Sequence, residues 1–166
     1  MVAAPASAQM NHGSDASLAG VRGLYETARG YILASAEKMP EADYAYKPVA
    51  SVRSFGQLLG HVANASFAFC AGAMGEKAPT MPDAEKHESK AALITALKGG
   101  FAYCDKAYQL DAMKAGESME FFGQKHTRLS VLAFNVAHDF EHYGNLVTYM
   151  RMKGMVPPSS MQGGGN

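Results

Sequence analysis

Apolar residues recur at three- and four-residue steps along most of the chain, the spacing that places side chains on one face of an α-helix. The first run begins near Ser14 or Ser17, either of which could cap a helix, and Pro40 ends it. Residues 41–52 are polar around Pro48 and predict a long connection. The apolar positions of this first helix are Leu18, Val21, Tyr25, Ala28, Ile32, Ala36 and Met39.

A capping box marks the start of the second helix. The side chains of Ser54 and Gln57, three residues apart, can each bond to the other's backbone N–H group. The helical pattern continues to Met74 and stops at Gly75, with Pro79 shortly after. The apolar positions of this helix are Phe55, Leu58, Val62, Ala65 and Phe69.

The third helix is predicted to run from Asp83 to Met113. Glycine inside a helix costs about 1 kcal/mol relative to alanine, so Gly99 and Gly100 predict a bend. The inward residues of this helix are predicted to be Ala92, Leu93, Ala96, Leu97, Phe101, Cys104 and Tyr108.

The fourth helix follows a polar stretch at 114–125 that predicts a loop. Thr127 is a suitable cap, and Lys153-Gly154 before two prolines ends the helix. Four helices of this length, with intermediate connections and no internal repeat, predict an all-α four-helix bundle.

One domain accounts for the length of the chain. A protein of 166 residues can close a hydrophobic core without cross-links, and an apolar fraction of 48% is typical of globular proteins. We place the bundle at residues 14–158, with a disordered tail predicted at 1–13 and a flexible, glycine-rich tail at 159–166.

The balance of charge excludes one class of function. Lys plus Arg and Asp plus Glu number 15 each, so the formal net charge is zero, and no Lys/Arg run forms a phosphate-binding patch. A nucleic-acid partner is therefore not expected. No apolar run approaches the roughly 20 residues that a membrane span requires.

Small residues near the N-terminus are typical of a signal-peptide cleavage site. Ala6-Ser7-Ala8 is followed by Gln9, although the apolar region of a secretory signal is missing. The pattern predicts an exported protein, either periplasmic or secreted. The alternative is an alanine- and proline-rich tail without a targeting signal, in a cytoplasmic protein.

Two histidines of the fourth helix, His138 and His142, are four residues apart. This spacing places two imidazoles one turn apart on one face, with Cβ atoms about 5–6 Å apart, so both can reach one metal ion. At about 100° per residue, the pair lies on the inward face of the helix. His61 interrupts the inward face of the second helix in the same way.

Three inward imidazoles need partners, because burying an unpaired polar group costs roughly 1–3 kcal/mol. A shared divalent metal would satisfy all three and leave an open coordination position for water or substrate. The alternative is three hydrogen-bonded core histidines. The remaining histidines are predicted to lie at the surface or in a tail: His12, His87 and His126.

Two carboxylates flank these histidines. Asp139 and Glu141 are predicted either to be solvated or to orient a ring nitrogen of a ligand. An alternative role for Glu141 is that of a fourth ligand or a base.

The two cysteines, Cys70 and Cys104, both fall within predicted helices. Two cysteines cannot form a zinc ribbon. They are either buried small hydrophobic residues or, in an exported protein, a disulfide, which requires Cα atoms within about 7 Å.

Two separated segments carry a family pattern. The first contains MPEADYAYKP at 39–48 and VRSFGQLLGH at 52–61, and the second is AHDFEHYGN at 137–145. In this order they resemble the DinB/YfiT-like superfamily of metal-dependent bundle proteins, over about residues 15–160. The resemblance implies an up-down-down-up bundle in which His61, His138 and His142 bind nickel or zinc, or alternatively manganese or iron.

The resemblance also bears on activity, since some members are metal-dependent S-transferases and isomerases that use low-molecular-weight thiols. We expect a metal-dependent enzyme acting on a small molecule, either a thiol-dependent S-transferase or a hydrolase, with a metal-bound water or thiol as the catalytic group. The alternative is a non-catalytic, stress-related metal-binding module that acts through homodimerisation. The residues that could form a dimer interface, or simply pack in the core, are Met150, Met152 and Met155.

Overall fold

The computed structural model describes residues 6–161, and their side chains from residue 15 onward, as a mostly helical protein. The helices are α1 (Ala6–Lys38), α2 (Phe55–Met74), α3 (Lys90–Ala107), α4 (Ala112–Gly116), α5 (Arg128–Met152) and α6 (Pro158–Met161). Two strands, β1 (Ser118–Phe121) and β2 (Gln124–Thr127), form an antiparallel hairpin, and short 3-10 turns lie at Glu41–Asp43 and Ala84–Lys86. None of the described helices is both long and apolar enough to cross a membrane.

The four long helices form a bundle in which α2 packs between α3 and α5, and α1 packs against α5 and α3. The residue pairs that fix the helix directions are Gly56–Leu93 and Cys70–Cys104 for α2 and α3, Arg53–Tyr149 and Ala73–Arg128 for α2 and α5, and Tyr25–Phe101 and Met39–Lys90 for α1 and α3. Thus α2 runs parallel to α3, and both run antiparallel to α1 and α5. This is the up-down-down-up order that the resemblance implies.

The core confirms the predicted apolar faces. On α1, every predicted apolar position is buried except Val21, which is partly buried against the core. Leu97, Phe101 and Cys104 of α3 are likewise buried. Phe134 is an exception, because its side chain is 43% exposed although it lies in the same sector of α5 as His138.

The predicted ends of α2 and α5 are confirmed. Ser54 and Gln57 form the capping box, with each side chain accepting a hydrogen bond from the other's backbone N–H group. Gly75 follows α2 with a φ of +75°, in the left-handed region that favours glycine. At the start of α5, the Thr127 side chain accepts a hydrogen bond from the backbone N–H of Ser130.

The predicted start of the first helix is wrong. Helix α1 begins at Ala6, so neither Ser14 nor Ser17 caps it and residues 6–13 are helical. The alanines in this stretch favour helix, and its one glycine does not end it. At the other end, helix α6 covers residues 159–161 of the predicted glycine-rich tail. Residues 1–5 and 162–166 lie outside the described part of the chain, so the tails predicted there stay predictions.

The segment predicted as the third helix forms three separate pieces, which are the 3-10 turn at Ala84–Lys86, α3 and α4. Side-chain caps at Ser89 and Asp111 start α3 and α4, and each accepts a hydrogen bond from a backbone N–H three residues on. Such local bonds offer the backbone an alternative to one continuous helix. Helix α3 runs without interruption through Gly99-Gly100, and the bend predicted there stays a prediction. A Cβ on Gly100 would lie 2.9 Å from the carbonyl oxygen of Ala63, so this glycine allows α2 and α3 to approach closely.

The loop predicted at 114–125 is replaced by the end of α4 and the hairpin. Phe122 and Gly123 form its turn with φ angles of +49° and +74°. Two positive φ angles in succession are typical of the tightest hairpin turns.

The two cysteines form a disulfide. Cys70 on α2 and Cys104 on α3 have Cα atoms 5.1 Å apart and are bonded through their sulfur atoms. Both are fully buried. The cross-link therefore joins the parallel pair of helices inside the core.

Candidate metal centre

The structure brings the three predicted histidines together. The Nε2 atom of His138 lies 3.2 Å from Nε2 of His61 and 3.1 Å from Nε2 of His142. Three nitrogens bound to one tetrahedral ion at about 2.1 Å would lie roughly 3.4 Å from one another. The two distances from His138 are close to this value, and possible ligand atoms of all three residues lie within 4.8 Å of one another, so the cluster could hold a divalent metal ion.

The positions of the helices explain this geometry. His138 and His142 are one turn apart on α5, and His61 faces them from the antiparallel neighbour α2. Among the side chains that the structure describes, the cluster contains these three residues and no carboxylate or cysteine. Three protein donors leave coordination positions open, which is the arrangement of catalytic rather than structural sites.

Protein groups alone satisfy this cluster poorly. Since Nε2 of His138 faces both neighbouring rings, a single ring proton would have to serve two contacts. In addition, the buried Nδ1 atoms of His138 and His142 have no hydrogen-bond partner among the described residues. Lone pairs directed at a shared cation would remove the conflict between the Nε2 atoms, so the residues fit a metal.

Electrostatics favour the neutral imidazoles that bind metals. Burial, together with the neighbouring His142 and His61, lowers the pKa of His138 to about 4. Burial and the nearby His61 also lower the pKa of His142. Both rings are therefore uncharged at neutral pH.

Glu85 supports the site and was missed by sequence reasoning. Its Oε1 atom lies 2.8 Å from Nδ1 of His61, and its Oε2 accepts a 3.0 Å hydrogen bond from Nε of Arg53. Partial burial opposes ionisation, but the hydrogen bonds from Arg53 and His61 hold the pKa of Glu85 below its usual value. An ionised Glu85 accepts a hydrogen bond from Nδ1–H of His61, which leaves the Nε2 lone pair of His61 facing the cluster.

The 3-10 turn that carries Glu85 lies directly on α2. A Cβ on Gly60 would collide with the carbonyl group of Ala84, so glycine at this position lets the turn approach His61. Asp83 caps the turn by accepting a hydrogen bond from the backbone N–H of Glu85. In the sequence, the Pro82-Asp83 pair was the only local sign of this turn. The prediction of one long helix starting at Asp83 did not take it into account.

The flanking carboxylates differ from each other. Asp139 is fully buried, and its Oδ2 accepts a hydrogen bond from Asn135 Nδ2, which also donates to the Tyr108 hydroxyl. Burial raises the pKa of Asp139 to about 8. Glu141 is exposed and stands outside the cluster, so the structure does not bring it in as a fourth ligand. Because Asp139 is buried and its hydrogen-bond partner is Asn135, it is neither solvated nor bonded to a histidine ring.

Two other histidines, His87 and His126, do not belong to the cluster. His87 and His126 are partly exposed, and His126 is on β2 rather than in a helix, with its ring against Phe121. The side chain of His12 is outside the described part of the chain.

A cavity of about 640 Å³ opens beside His142. Its hydrogen-bonding groups include Arg53 and Gln57 from α2 and its cap region, and Asn145 from α5. A small molecule can thus approach the histidines from this side.

Comparisons with known proteins agree with the fold. Residues 24–146 match the family model of the DinB superfamily. A DinB-like protein from Bacillus cereus superimposes with a TM-score of 0.73 at 13% identity, over 84% of this chain and 94% of that one. A DinB-like protein from Bacillus subtilis gives a TM-score of 0.66 at 23% identity, over 85% and 96%. No curated protein matches the sequence significantly. The family match spans most of the bundle and includes all three histidines of the cluster, and the chain therefore belongs to the DinB superfamily.

Proposed function

We propose that this protein is a metal-dependent enzyme whose divalent ion is held by His61, His138 and His142. The observation that carries the proposal is the convergence of three imidazoles, with Nε2 of His138 3.1–3.2 Å from Nε2 of His61 and of His142, and with no further protein ligand among the described side chains. Nickel or zinc suits three imidazoles best, and manganese or iron comes next. When bound, such an ion would lower the pKa of a water or a thiol toward neutrality.

The residues around the histidines have distinct tasks in this proposal. Glu85 holds the ring of His61 in the orientation and tautomer that direct Nε2 inward. Arg53 holds Glu85 in turn and lines the neighbouring cavity, where it can contact a bound small molecule. Since His138 and His142 stay neutral, neither of these two ligands has to lose a proton at neutral pH before binding.

Two reaction classes follow from this chemistry, a thiol-dependent S-transferase and a hydrolase. Both would use the open positions of the site and the cavity beside His142 for substrate. A screen of the nickel- and zinc-loaded protein should combine low-molecular-weight thiols with electrophilic aromatic compounds, and test esters separately. We expect turnover with one class that is lost in His142→Ala and kept in His87→Ala. Equal rates in both variants would exclude the cluster as the source of activity.

Export is a second part of the proposal. It is supported by the small-residue pattern Ala6-Ser7-Ala8 and by the buried Cys70–Cys104 disulfide, since disulfides persist in oxidising compartments. Export would favour the hydrolase, because low-molecular-weight thiols belong to the cytosol. Cell fractionation of the native protein tests this, and recovery of a reduced protein in the cytosol alone would contradict it.

A further inference from the structure

Four phenylalanines form a cluster beside the candidate metal site. They are Phe69 on α2, Phe121 and Phe122 in the hairpin, and Phe134 on α5, and we call them the phenylalanine cluster. The ring of Phe69 meets the ring of His138 edge-to-face, with centroids 5.2 Å apart, and meets Phe134 at the same distance. The cluster is therefore continuous with the metal site.

Phe122 stands at the tip of the hairpin under two unfavourable conditions. Its φ of +49° lies in the left-handed region, where bulky side chains are rare and where asparagine or glycine would fit this turn. Its side chain is also 74% exposed, although it contacts Phe121, Phe134 and Phe69. Folding gains little from such a residue, and strained positions of this kind concentrate at ligand-binding sites.

The hairpin and α5 enclose a cavity of about 240 Å³ at this cluster. An engineered protein cavity of about 150 Å³ accommodates benzene, so this space suits one or two rings. Aromatic walls favour stacked or edge-on aromatic guests. The residues that line the cavity are Phe121, Phe122, Gln124, His126, Ser130 and Phe134.

We propose that the phenylalanine cluster is the substrate subsite for an aryl, or similarly flat apolar, group whose reactive end lies at the three histidines. This inference rests on the proposed function, because the histidines supply the reacting centre. A small-molecule group suits the site better than a protein surface, since the space is ring-sized and its wall residue Phe134 packs on Phe69, which in turn packs on His138.

Two metal-ligating probes test the subsite directly. Imidazole and 1-benzylimidazole present the same kind of nitrogen donor to cobalt(II)-loaded protein, and the visible spectrum of cobalt reports their binding. We expect 1-benzylimidazole to bind at least about tenfold more tightly, because its ring is removed from water. In Phe122→Asn the advantage should fall below about threefold while imidazole affinity is unchanged. Met113→Asn, which changes an exposed side chain on α4, should keep the full advantage.

Thermal unfolding of metal-free Phe122→Asn gives an independent readout. Asparagine fits the positive φ, so the variant should be at least as stable as the wild type even though it has lost the aryl preference. Two results would overturn the subsite alone. In the first, 1-benzylimidazole binds the wild type no more tightly than imidazole does. In the second, it keeps its tighter binding in Phe122→Asn. Failure of imidazole to bind would overturn the proposed function and the subsite with it. A dimer that Phe122→Asn dissociates, measured by light scattering, would assign the cluster to self-association and also overturn the subsite.

Discussion

Helix α2 packs against two neighbours in two different ways. Its contact with the parallel helix α3 is close, with the buried Cys70–Cys104 disulfide and with Gly100 placed against the backbone of Ala63. Its contact with the antiparallel helix α5 contains three histidines, buried nitrogen atoms without partners and an adjoining cavity. The first contact has the features of a stabilising core, and the second leaves buried polar groups that the described residues do not satisfy.

We infer from this difference that one face of α2 stabilises the fold and another face carries the candidate metal site. A domain has only about 5–15 kcal/mol of net stability, so it can tolerate a poorly satisfied polar cluster only if other contacts compensate. The cross-linked α2–α3 contact is suited to provide that compensation. Breaking the first contact should therefore lower stability and leave metal affinity unchanged, whereas weakening the support of the histidines should lower metal affinity.

The largest effect on stability is expected from removing the disulfide. The double variant Cys70→Ala/Cys104→Ala loses a cross-link between residues 34 positions apart, which should cost about 4 kcal/mol because the unfolded chain gains freedom. Urea denaturation of the metal-free proteins measures this cost. Metal affinity of the folded variant should stay within about threefold of the wild type. A large loss of affinity would show that the two contacts are not independent.

A smaller effect, on metal affinity, is expected from Glu85→Gln. The change removes the ionised partner of His61 while keeping the size of the side chain, so metal affinity should fall about 10–100-fold. Competition with a coloured chelator measures the dissociation constant. Glu88→Gln, an exposed neighbour, is the matched control and should bind like the wild type. Equal affinities in the two variants would mean that Glu85 does not orient the ligand.

The smallest effect concerns the pH dependence of the metal-free protein. The pKa of His138 is about 4 in the folded state, against roughly 6.5 in an unfolded chain. Between these values only the unfolded chain binds the proton, so the free energy of unfolding decreases as the pH falls from 6.5 to 4. Because solvent reaches the partly exposed ring, we expect this decrease to be on the order of 1 kcal/mol.

His138→Phe should abolish that part of the decrease. Asp139 acts in the opposite sense, because its pKa of about 8 makes its contribution largest at low pH and lost as the pH rises. This opposing contribution is present in both proteins, so the difference between their urea midpoints at pH 7 and pH 5 isolates His138. Parallel changes in the two proteins would contradict the low pKa of His138.

Sequence patterns predicted those features that depend on local spacing. The His138–His142 pair, the inward position of His61 and the Ser54–Gln57 capping box all follow from helical periodicity within a few residues. Features that depend on tertiary contact were missed. Glu85 reaches His61 only because Gly60 lets a separate turn lie on α2.

The hairpin and Asp139 were missed for related reasons. Strands of four residues are too short for a periodic pattern to be recognised. The turn position that usually holds asparagine or glycine is occupied by Phe122, so the usual turn sequence is missing. Asp139 is adjacent to a candidate ligand, but its burial depends on Asn135 and Tyr108 beside it. Only the packed bundle reveals that environment.

The most direct test is elemental analysis of protein purified without a chelating tag, beside His61→Ala, His138→Ala and the control His87→Ala. We predict near-stoichiometric nickel, zinc, manganese or iron in the wild type and in His87→Ala, and loss of that metal in the other two variants. A wild type that remains free of metal after dialysis against a mixture of these ions at neutral pH would contradict the account. So would metal that persists in both His61→Ala and His138→Ala.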